Sequence, residues 1–417
     1  MTRSAPQARF DDYLSSPEFY DDPYPVYHML RAEAPIFWSE RWNAWVLTRY
    51  ADVLAVVRDP GSFSNGLRVP VFLDQLPPAE RARFGLLEDH FAVQIPHSDP
   101  TYHTRLRTLI TKAFTARMVQ ALQGRIQELV DELLDGVEDK GQMDVIWDFA
   151  FPLPAAVIGE IVGMPAADIG KYKQWSSNIM GFLGVTPPDP DYIADAQQSI
   201  VELKAYVRGK IEQRRRRPTA DLLSQLVEVE EEGDRLSEEE IYAIVAVLMS
   251  AGHETTTNTI GNGLVALLRH PDMLARLRQE PDLIESAVEE MLRYDGTTQR
   301  HMRVAAQEVE LDGHRIGKHQ LVFAMVGAAN RDPAQFPHPD RFDITRSNNR
   351  HVTFGHGIHF CVGAPLARLE TKIAINTMLR RLPRLQLATE ELAWHQHIGL
   401  RGLKSLPVQF QPGRVRE

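Results

Sequence analysis

Cysteine is almost absent from this sequence: Cys361 is the only one among 417 residues. One cysteine cannot form an internal disulfide, so the chain has no disulfide framework, which is typical of a reducing compartment. Positive charge is not in excess either, since the formal net charge is −10 and no basic stripe offsets it, and this excludes general nucleic-acid binding. No apolar run approaches the roughly 20 residues that cross a bilayer. We therefore expect a cytoplasmic protein that spans no membrane.

Linkers are missing as well. No Gly/Ser-rich or Pro-rich stretch divides the chain, although its length alone would allow two or three domains. Apolar residues make up 43% of the sequence, enough for a substantial core. We predict a single domain over residues 1–417, in which residues 1–20 form a loosely ordered N-terminal segment.

The most informative stretch surrounds the cysteine and reads F-G-H-G-I-H-F-C-V-G from Phe354 to Gly363. Gly355 and Gly357 permit a tight, partly left-handed backbone, and Gly363 permits the close approach of a flat group. A helical pattern follows directly, so Cys361 lies at a helix N-terminus, where the dipole and loop N–H groups stabilise a thiolate. This setting suits an axial sulfur ligand of haem iron. A lone cysteine is more often a small buried hydrophobe, so the surrounding pattern has to decide.

A second motif, H-T-R-L-R, places His103 and Arg107 four residues apart on one helix face. Two such donors suit a pair of carboxylates, and the ordinary alternative is a solvated helix surface. Asp99 is the expected N-cap of this helix, with Pro100 at its first position.

A long helix is predicted after Ser237, which forms a capping box with Glu240. Its apolar pattern continues to Arg269, about 50 Å at the usual rise, and is too apolar in the middle for a surface helix. This core helix contains the polar patch A-G-H-E-T-T-T-N, residues 251–258. Burying a carboxylate and three threonines needs a reason. Local bending by back-bonded hydroxyls is one, and a structural, hydrogen-bonded role is expected for His253.

Together these motifs resemble the cytochrome P450 superfamily of haem-thiolate monooxygenases, over about Pro23 to Phe410. The F-G-x-G-x-x-x-C-x-G signature of that family is reproduced in full. The resemblance implies a mainly α fold with small antiparallel β-sheets. It also implies haem b between the long central helix and the cysteine helix, with Cys361 as the iron ligand.

The resemblance further assigns roles to individual residues. Glu254 and Thr255 match the acid–alcohol pair that delivers protons to oxygen. Glu290 and Arg293 match a structural E-x-x-R pair that Arg341 joins from a downstream loop. The residues expected to contact the cofactor are His103, Arg107, Ala251, Arg303, Phe354, Gly355, His359, Cys361 and Gly363. Those expected to line the substrate pocket are Val69, Leu73, Phe182, Val247, Ala251, Thr298 and Leu400.

The activity implied is insertion of one oxygen atom from O2 into an apolar organic substrate, by hydroxylation or epoxidation. Candidate substrates are a secondary metabolite, terpenoid, steroid, macrolide, fatty acid or aromatic compound. Electrons would come from a separate ferredoxin or flavodoxin and its reductase. The positive charges that could gather around its docking surface are Lys112, Arg117, Arg346, Arg350 and Arg368.

Other functions stay open at this point. A peroxide-driven peroxygenase on the same fold would need no acid–alcohol pair, so Glu254 and Thr255 argue against it. A haem sensor or carrier without turnover would not need one either. A zinc hydrolase is remote, because Cys361 has no C-x-x-C partner and His253 lacks the second histidine of an H-E-x-x-H motif.

Overall fold

Helices make up most of the chain in the computed structural model, which describes residues 5–184, 188–231 and 233–413. Those before residue 100 are α1 (Ala5–Tyr13), α2 (Pro17–Asp21), α3 (Tyr24–Glu33), α4 (Tyr50–Arg58), α5 (Arg68–Leu73), α6 (Pro78–Arg81) and α7 (Gly85–Ala92). Those after it are α8 (Tyr102–Ala113), α9 (Ala116–Ala121), α10 (Gln123–Asp135), α11 (Pro152–Val162), α12 (Ile169–Gly184), α13 (Pro190–Arg216), α14 (Leu222–Glu228), α15 (Glu238–Leu268), α16 (Pro271–Gln279), α17 (Ile284–Tyr294), α18 (Val326–Ala329) and α19 (Ala364–Arg381).

The strands are short and form small sheets. They are β1 (Ile36–Ser39), β2 (Ala44–Leu47), β3 (Phe63–Ser64), β4 (Gln142–Asp144), β5 (Glu230–Glu231), β6 (Asp234–Arg235), β7 (Arg300–Ala305), β8 (Val309–Leu311), β9 (His314–Ile316), β10 (Leu321–Met325), β11 (Gln386–Leu387) and β12 (Pro407–Gln409). Among the described strands, the largest sheet has the order β1-β2-β10-β7-β3. The predicted fold class, mainly α with small sheets, is confirmed.

One detail of that class differs from the expectation. β2 and β10 pair in parallel, whereas the other neighbours in this sheet are antiparallel. More than 250 residues separate β2 from β10 in the sequence, so no hairpin dictates their relative direction. The largest sheet is therefore mixed.

Helix α15 is the longest element among the described residues and begins with the predicted capping box. The hydroxyl of Ser237 accepts the Glu240 amide, and the Glu240 carboxylate accepts the Ser237 amide at 2.7 Å. Its 31 residues span about 46 Å. It packs against α11, α12, α13, α17 and α19. Glycine allows one of these approaches, since a Cβ on Gly263 would lie 2.7 Å from the sulfur of Met291 in α17.

The N-terminal segment corrects a prediction. In place of the loosely ordered segment expected over residues 1–20, the described part of it forms α1 and α2. Phe10, Leu14 and Phe19 are buried against the largest sheet and α3. Asp11 accepts hydrogen bonds from β1 and the turn that follows it. These three apolar residues are widely spaced in a mostly polar segment, so the sequence showed no apolar pattern there.

A second correction concerns long apolar stretches. The continuous helical stretch Val145–Val162, a π-helical segment followed by α11, is 18 residues long and apolar enough to cross a membrane. Two thirds of it is buried inside the protein (67%), as in a core helix. Its apolarity therefore reflects packing between α10, α15 and the rest of the core.

Helix α8 begins two residues later than expected. Its N-cap position is Thr101, and the side chain of Asp99 does not cap it. The Asp99 carboxylate instead accepts the Ser64 hydroxyl and the Asn65 amide (2.8 Å). The backbone carbonyl of Asp99 accepts the His103 amide at 2.9 Å. Asp99 therefore ties the start of α8 to β3.

Candidate functional site

The loop before Cys361 is closed by its own backbone. The Cys361 amide donates to the carbonyl of Phe354 at 2.9 Å. Gly355 and Gly357 have φ of 72° and 67°, which confirms the predicted left-handed backbone. The space in front of Gly363 is open, because an added Cβ would meet nothing nearer than the Cys361 sulfur, 3.9 Å away. The loop therefore presents the sulfur beside an unobstructed surface.

The thiol of Cys361 faces an interior space. Burial within the protein raises its pKa, an effect only partly offset by the amides of Gly363 and Ala364, which donate to the sulfur, and by the charge of Arg107. The residue is nevertheless exposed by accessible area. The burial effect on the pKa and the accessible area agree if protein surrounds the sulfur but does not pack directly against it. Burial thus outweighs the helix-terminus stabilisation of the thiolate that the sequence predicts.

One stripe of α15 is also open within the core. Over residues 240–267 the side chains that are not buried form a single stripe, with spacings of three and four residues: Val247, Leu248, Ala251, Gly252, Glu254 and Thr255. Ala251 is the most open of them, being classed as exposed in the middle of a core helix. Helix α15, which carries this stripe, packs on α19, the helix that follows Cys361.

Glu254 and Thr255 lie together on this stripe. Burial raises the pKa of Glu254 to about 7, so its carboxyl is a weak acid near neutral pH. The hydroxyl of Thr255 donates to the carbonyl of Ala251 at 2.7 Å. Thr257 makes the same bond to His253 at 2.9 Å, but from the buried side of the helix.

His253 supports the helix from behind the stripe, and Gly252, on the stripe itself, lies against α11. His253 is buried, its Nδ1 lies 2.9 Å from the Met249 carbonyl, and burial lowers its pKa to about 4. Its ring packs at 5.1 Å on Tyr172. A Cβ on Gly252 would lie 3.1 Å from Ile158, so glycine lets α11 approach closely.

Several hydrogen-bonding nitrogens near the Cys361 loop have no partner among the described residues. The rings of His103 and His359 stack at 4.2 Å, and both nitrogens of His103 and Nε2 of His359 are buried without a bond. Burial, then the charge of neighbouring groups, lowers the pKa of His359 to about 2, so it is neutral. Arg303 is buried, and burial lowers its pKa to about 9. Arg107 donates to the carbonyl of Phe360 at 2.8 Å.

Comparison of the sequence with known proteins shows to which family the chain belongs. A family model described as Cytochrome P450 matches residues 190–391. The chain is 41% identical over 406 residues to cytochrome P450 monooxygenase PikC of Streptomyces venezuelae, covering 95% of this chain and 93% of that protein. The chain belongs to the cytochrome P450 family. This P450 is likewise 40% identical to a vitamin D(3) 25-hydroxylase of Pseudonocardia autotrophica, over 96% of both chains.

A solved structure agrees over the whole fold. P450BioI, in complex with an acyl carrier protein ligated to hexadec-9Z-enoic acid, superposes with a TM-score of 0.88 at 39% identity. The match covers 94% of this chain and 99% of that one. The protein is accordingly a P450 monooxygenase, an oxidoreductase, and its cofactor is haem b.

The residues present fit haem. A thiol that borders open interior space can ligate haem iron. The histidine nitrogens that lack a partner among the described residues lie beside a buried arginine, and together they suit two carboxylates. Of the predicted contacts, Ala251 lies on the open stripe, while Phe354 and Gly355 shape the loop.

The E-x-x-R network needs one correction. Glu290 and Arg293 are fully buried and form a bidentate pair, with both N–O distances 2.8 Å. The second guanidinium on Glu290 is that of Arg346, at 3.2 Å, and not that of Arg341. The side chain of Arg341 is exposed, and only its backbone carbonyl takes part, accepting from Arg293 and Arg346. Asn349 adds a bond to Glu290 at 3.1 Å.

The predicted pocket residues divide into groups. Val69 and Phe182 line one small pocket together, and Thr298 pairs with Leu400 through an isolated β-bridge. Val247 lies on the open stripe of α15. Leu73 is a correction: it has no accessible surface and packs in the main core.

Four residues make contacts here that the sequence did not indicate. Arg346 and Asn349 bond Glu290, and Arg68 and His97 line the pocket of Val69 and Phe182. Arg68 interrupts an apolar stretch, L-R-V-P-V-F, and a charge in such a stretch was the available signal. Nothing in the local sequence distinguishes Arg346 from Arg341.

Proposed function

We propose that this P450 inserts one oxygen atom from O2 into an apolar organic molecule, with Cys361 as the haem-iron ligand and Glu254 and Thr255 as the proton-delivery pair. The observation that carries the proposal is the open stripe of α15, which presents an acid and an alcohol on a helix that packs against the cysteine helix α19. The whole chain would act as one domain around one haem. A cytoplasmic location fits the single thiol, which a reducing compartment keeps unpaired.

Cys361 would hold the iron, and the protein prepares its sulfur for the role. Bound haem with a thiolate ligand supplies oxygen binding and O–O cleavage. The amides of Gly363 and Ala364 donate to the sulfur and limit the charge it gives to a metal. Burial disfavours a free thiolate, so the sulfur is expected to ionise only when a cation binds it.

Proton delivery would belong to Glu254 and Thr255. Oxygen activation consumes two protons, and a group with a pKa near the working pH both gives and regains them efficiently. Glu254, with a pKa of about 7, meets that condition. Thr255 can pass a proton on by turning its hydroxyl from the Ala251 carbonyl toward the open side of the stripe.

Haem carboxylates would be held by four side chains: His103, Arg107, Arg303 and His359. The two imidazoles are neutral and each can donate one N–H, and the two guanidiniums add charge-assisted bonds. The unpartnered ring nitrogens support this assignment, because a buried donor without an acceptor costs free energy that a ligand can recover.

The substrate is expected to be apolar and small enough for the interior. Supporting this, Val247, Ala251, Thr298, Leu400 and the pocket of Phe182 offer mostly apolar surface. The relatives include a protein named for a vitamin D(3) hydroxylation and one crystallised with a fatty acyl carrier protein. We propose hydroxylation or epoxidation of a terpenoid, steroid, macrolide, fatty acid or related secondary metabolite.

Electrons would come from a ferredoxin or flavodoxin with its reductase. Of the positive residues expected around the docking surface, Lys112, Arg117 and Arg350 are exposed. Arg346 forms an ion pair with the buried Glu290, so we no longer assign it to the docking surface. Arg368 forms an ion pair with Glu289. Opposite charge on a small acidic partner would steer its approach.

The test is turnover under two conditions. The haem-loaded protein is given a substrate that shifts its ferric spectrum, with either NAD(P)H, ferredoxin and reductase, or hydrogen peroxide alone. The proposal predicts faster product formation with the electron-transfer chain. Faster turnover with peroxide alone would indicate a peroxygenase, and no product under either condition would indicate a haem sensor.

A further inference from the structure

The loop 397–401 is held against the segment that carries the predicted pocket residue Thr298. Leu400, in the loop, pairs with Thr298 in an isolated β-bridge. One residue earlier, the Gly399 carbonyl accepts the Gln299 amide at 2.9 Å. The course of this loop therefore places two of the residues that were predicted to line the substrate pocket.

The imidazole of His397 shapes this loop. The amides of Gly399 and Leu400 donate to its Nδ1, at 3.0 and 2.8 Å. A Cβ on Gly399 would lie 3.2 Å from Cε1 of the ring, so glycine lets the chain turn closely around it. Burial lowers the pKa of His397 to about 4, so the ring is neutral at neutral pH. Because a backbone amide can only donate, Nδ1 is the acceptor and the proton of the neutral ring is on Nε2.

The second nitrogen of His397 points to helix α12. Nε2 lies 3.3 Å from the carbonyl oxygen of Met180 and donates its proton to it. Two residues further along α12, the ring of Phe182 packs on Phe72 at 5.7 Å and on Phe91 at 5.5 Å. His397 is thus bonded to the part of α12 that carries Phe182, another predicted pocket residue.

Helix α12 is fastened to different partners along its length. Near its start, the Tyr172 hydroxyl donates to the Met249 carbonyl of α15 at 2.6 Å. In its second half, the Asn178 amide donates to the Ser199 hydroxyl of α13 at 3.0 Å. Closer to its end, the bond from His397 joins α12 to the loop 397–401. A single hydrogen bond between neutral groups is weak enough to break and form again as a ligand passes.

We propose that His397 is a positioning residue of the substrate pocket: its Nδ1 sets the position of Leu400, and its Nε2 holds the end of α12 until a ligand passes. The inference rests on the substrate pocket proposed above and adds a residue that governs its wall and its opening. His397 acts through the groups that it bonds.

Two substitutions separate the two roles of the ring. The side-chain oxygen of His397→Asn can accept the amides two and three residues ahead, as asparagine does in turns, but this side chain is too short to reach Met180. His397→Phe keeps a ring and loses the bonds of both nitrogens. The matched control is His395→Asn, at an exposed histidine two residues earlier.

The bond to α12 is tested with 4-phenylimidazole, an apolar probe whose nitrogen binds haem iron and shifts the ferric spectrum whatever the natural substrate is. Stopped-flow mixing gives its association rate, and dilution gives its dissociation rate. Both rates should rise about twofold to tenfold in His397→Asn, the range of one hydrogen bond. The Kd should change little, because the bond breaks only during passage. His395→Asn should match the wild type, and unchanged rates in His397→Asn overturn the link to α12.

Hydrogen exchange at single amides of the haem-loaded protein tests the role of Nδ1. The amides of Gly399 and Leu400 should be equally protected in the wild type and in His397→Asn. In His397→Phe they lose their acceptor and should exchange about tenfold faster. Equal protection in His397→Phe overturns the role of Nδ1.

The protonated nitrogen of His397 can be identified without any substitution. The nitrogen NMR shifts of the imidazole in the wild type should place the proton on Nε2, and a proton on Nδ1 overturns the proposal. Neither this measurement nor hydrogen exchange depends on the iron ligand. A wild-type protein that binds no haem through sulfur therefore contradicts the proposed function, whereas a normal haem spectrum with unchanged rates contradicts only the role of His397.

Discussion

The hydroxyl of Thr255 donates to the backbone carbonyl of Ala251, 2.7 Å away and one turn earlier in α15. Both residues lie on the open stripe of that helix. The bond keeps the hydroxyl ordered and lets it turn to another acceptor at the cost of one hydrogen bond, about 1 kcal/mol. A hydroxyl that relays protons must be held in position and must also be able to rotate, and a single hydrogen bond of this strength allows both.

Thr255→Ala is expected to separate electron consumption from product formation. Without the hydroxyl, protons reach the oxygen poorly, so NAD(P)H oxidation continues while product per NAD(P)H falls about tenfold or more. Hydrogen peroxide release rises correspondingly. Thr257→Ala is the control, because Thr257 makes the same backbone bond from the buried side of α15. Equal coupling in wild type and Thr255→Ala would remove Thr255 from the mechanism.

Glu254 is expected to make the folded state lose stability as pH rises. Its pKa is about 7 in the folded protein against 4.5 in the unfolded chain. Between these values the unfolded chain releases the proton while the folded protein keeps it, so the contribution is full below pH 4.5 and is lost as pH rises to about 7. The loss amounts to about 3 kcal/mol.

Glu254→Gln removes this dependence. Thermal unfolding of the haem-loaded wild type and variant is measured below pH 4.5 and above about pH 7. The melting temperature of Glu254→Gln relative to that of the wild type should increase as pH rises. Glu254→Asp keeps a titrating carboxyl in place and should resemble the wild type. Parallel pH profiles for wild type and Glu254→Gln would show that the carboxyl ionises freely.

The Glu290 network predicts unequal effects for two neighbouring arginines. Arg346→Ala removes a guanidinium from a buried carboxylate and should lower the free energy of unfolding by about 2 kcal/mol. Arg341→Ala should change it by less than about 0.5 kcal/mol, because only the backbone carbonyl of Arg341 takes part. Chemical denaturation measures both. The reverse order would restore Arg341 as the partner that the sequence suggested.

The docking surface is tested by reversing charge. Arg117→Glu and Arg350→Glu should slow reduction of the iron by an acidic ferredoxin and weaken the dependence of that rate on salt. Arg216→Glu, at the exposed C-terminal end of α13, is the control and should leave both unchanged. Stopped-flow reduction at several salt concentrations measures the effect. Unaltered rates in Arg117→Glu and Arg350→Glu would place the partner elsewhere.

Local motifs allowed much of the site to be predicted from sequence. The capping box of Ser237, the left-handed glycines before Cys361 and the position of Glu254 within a core helix each depend on a few adjacent residues. Their chemistry is therefore visible in the sequence itself.

The parts that were missed depend on contacts between distant segments. Arg346 and Arg341 stand in one loop, and only its folded course decides which side chain turns toward Glu290. The burial of Phe10 and Leu14 requires the sheet they pack on, and Leu73 was assigned to the pocket although α5 turns it into the core. The parallel pairing of β2 with β10 is likewise a property of the assembled sheet.

The most direct test of the account is the absorption spectrum of the ferrous carbon monoxide complex, recorded for the wild type and Cys361→Ser. Thiolate ligation through Cys361 predicts the long-wavelength Soret band of a sulfur-bound haem in the wild type and its loss in Cys361→Ser. A wild-type band at the shorter wavelength of an imidazole-ligated haem, unchanged in Cys361→Ser, would contradict it.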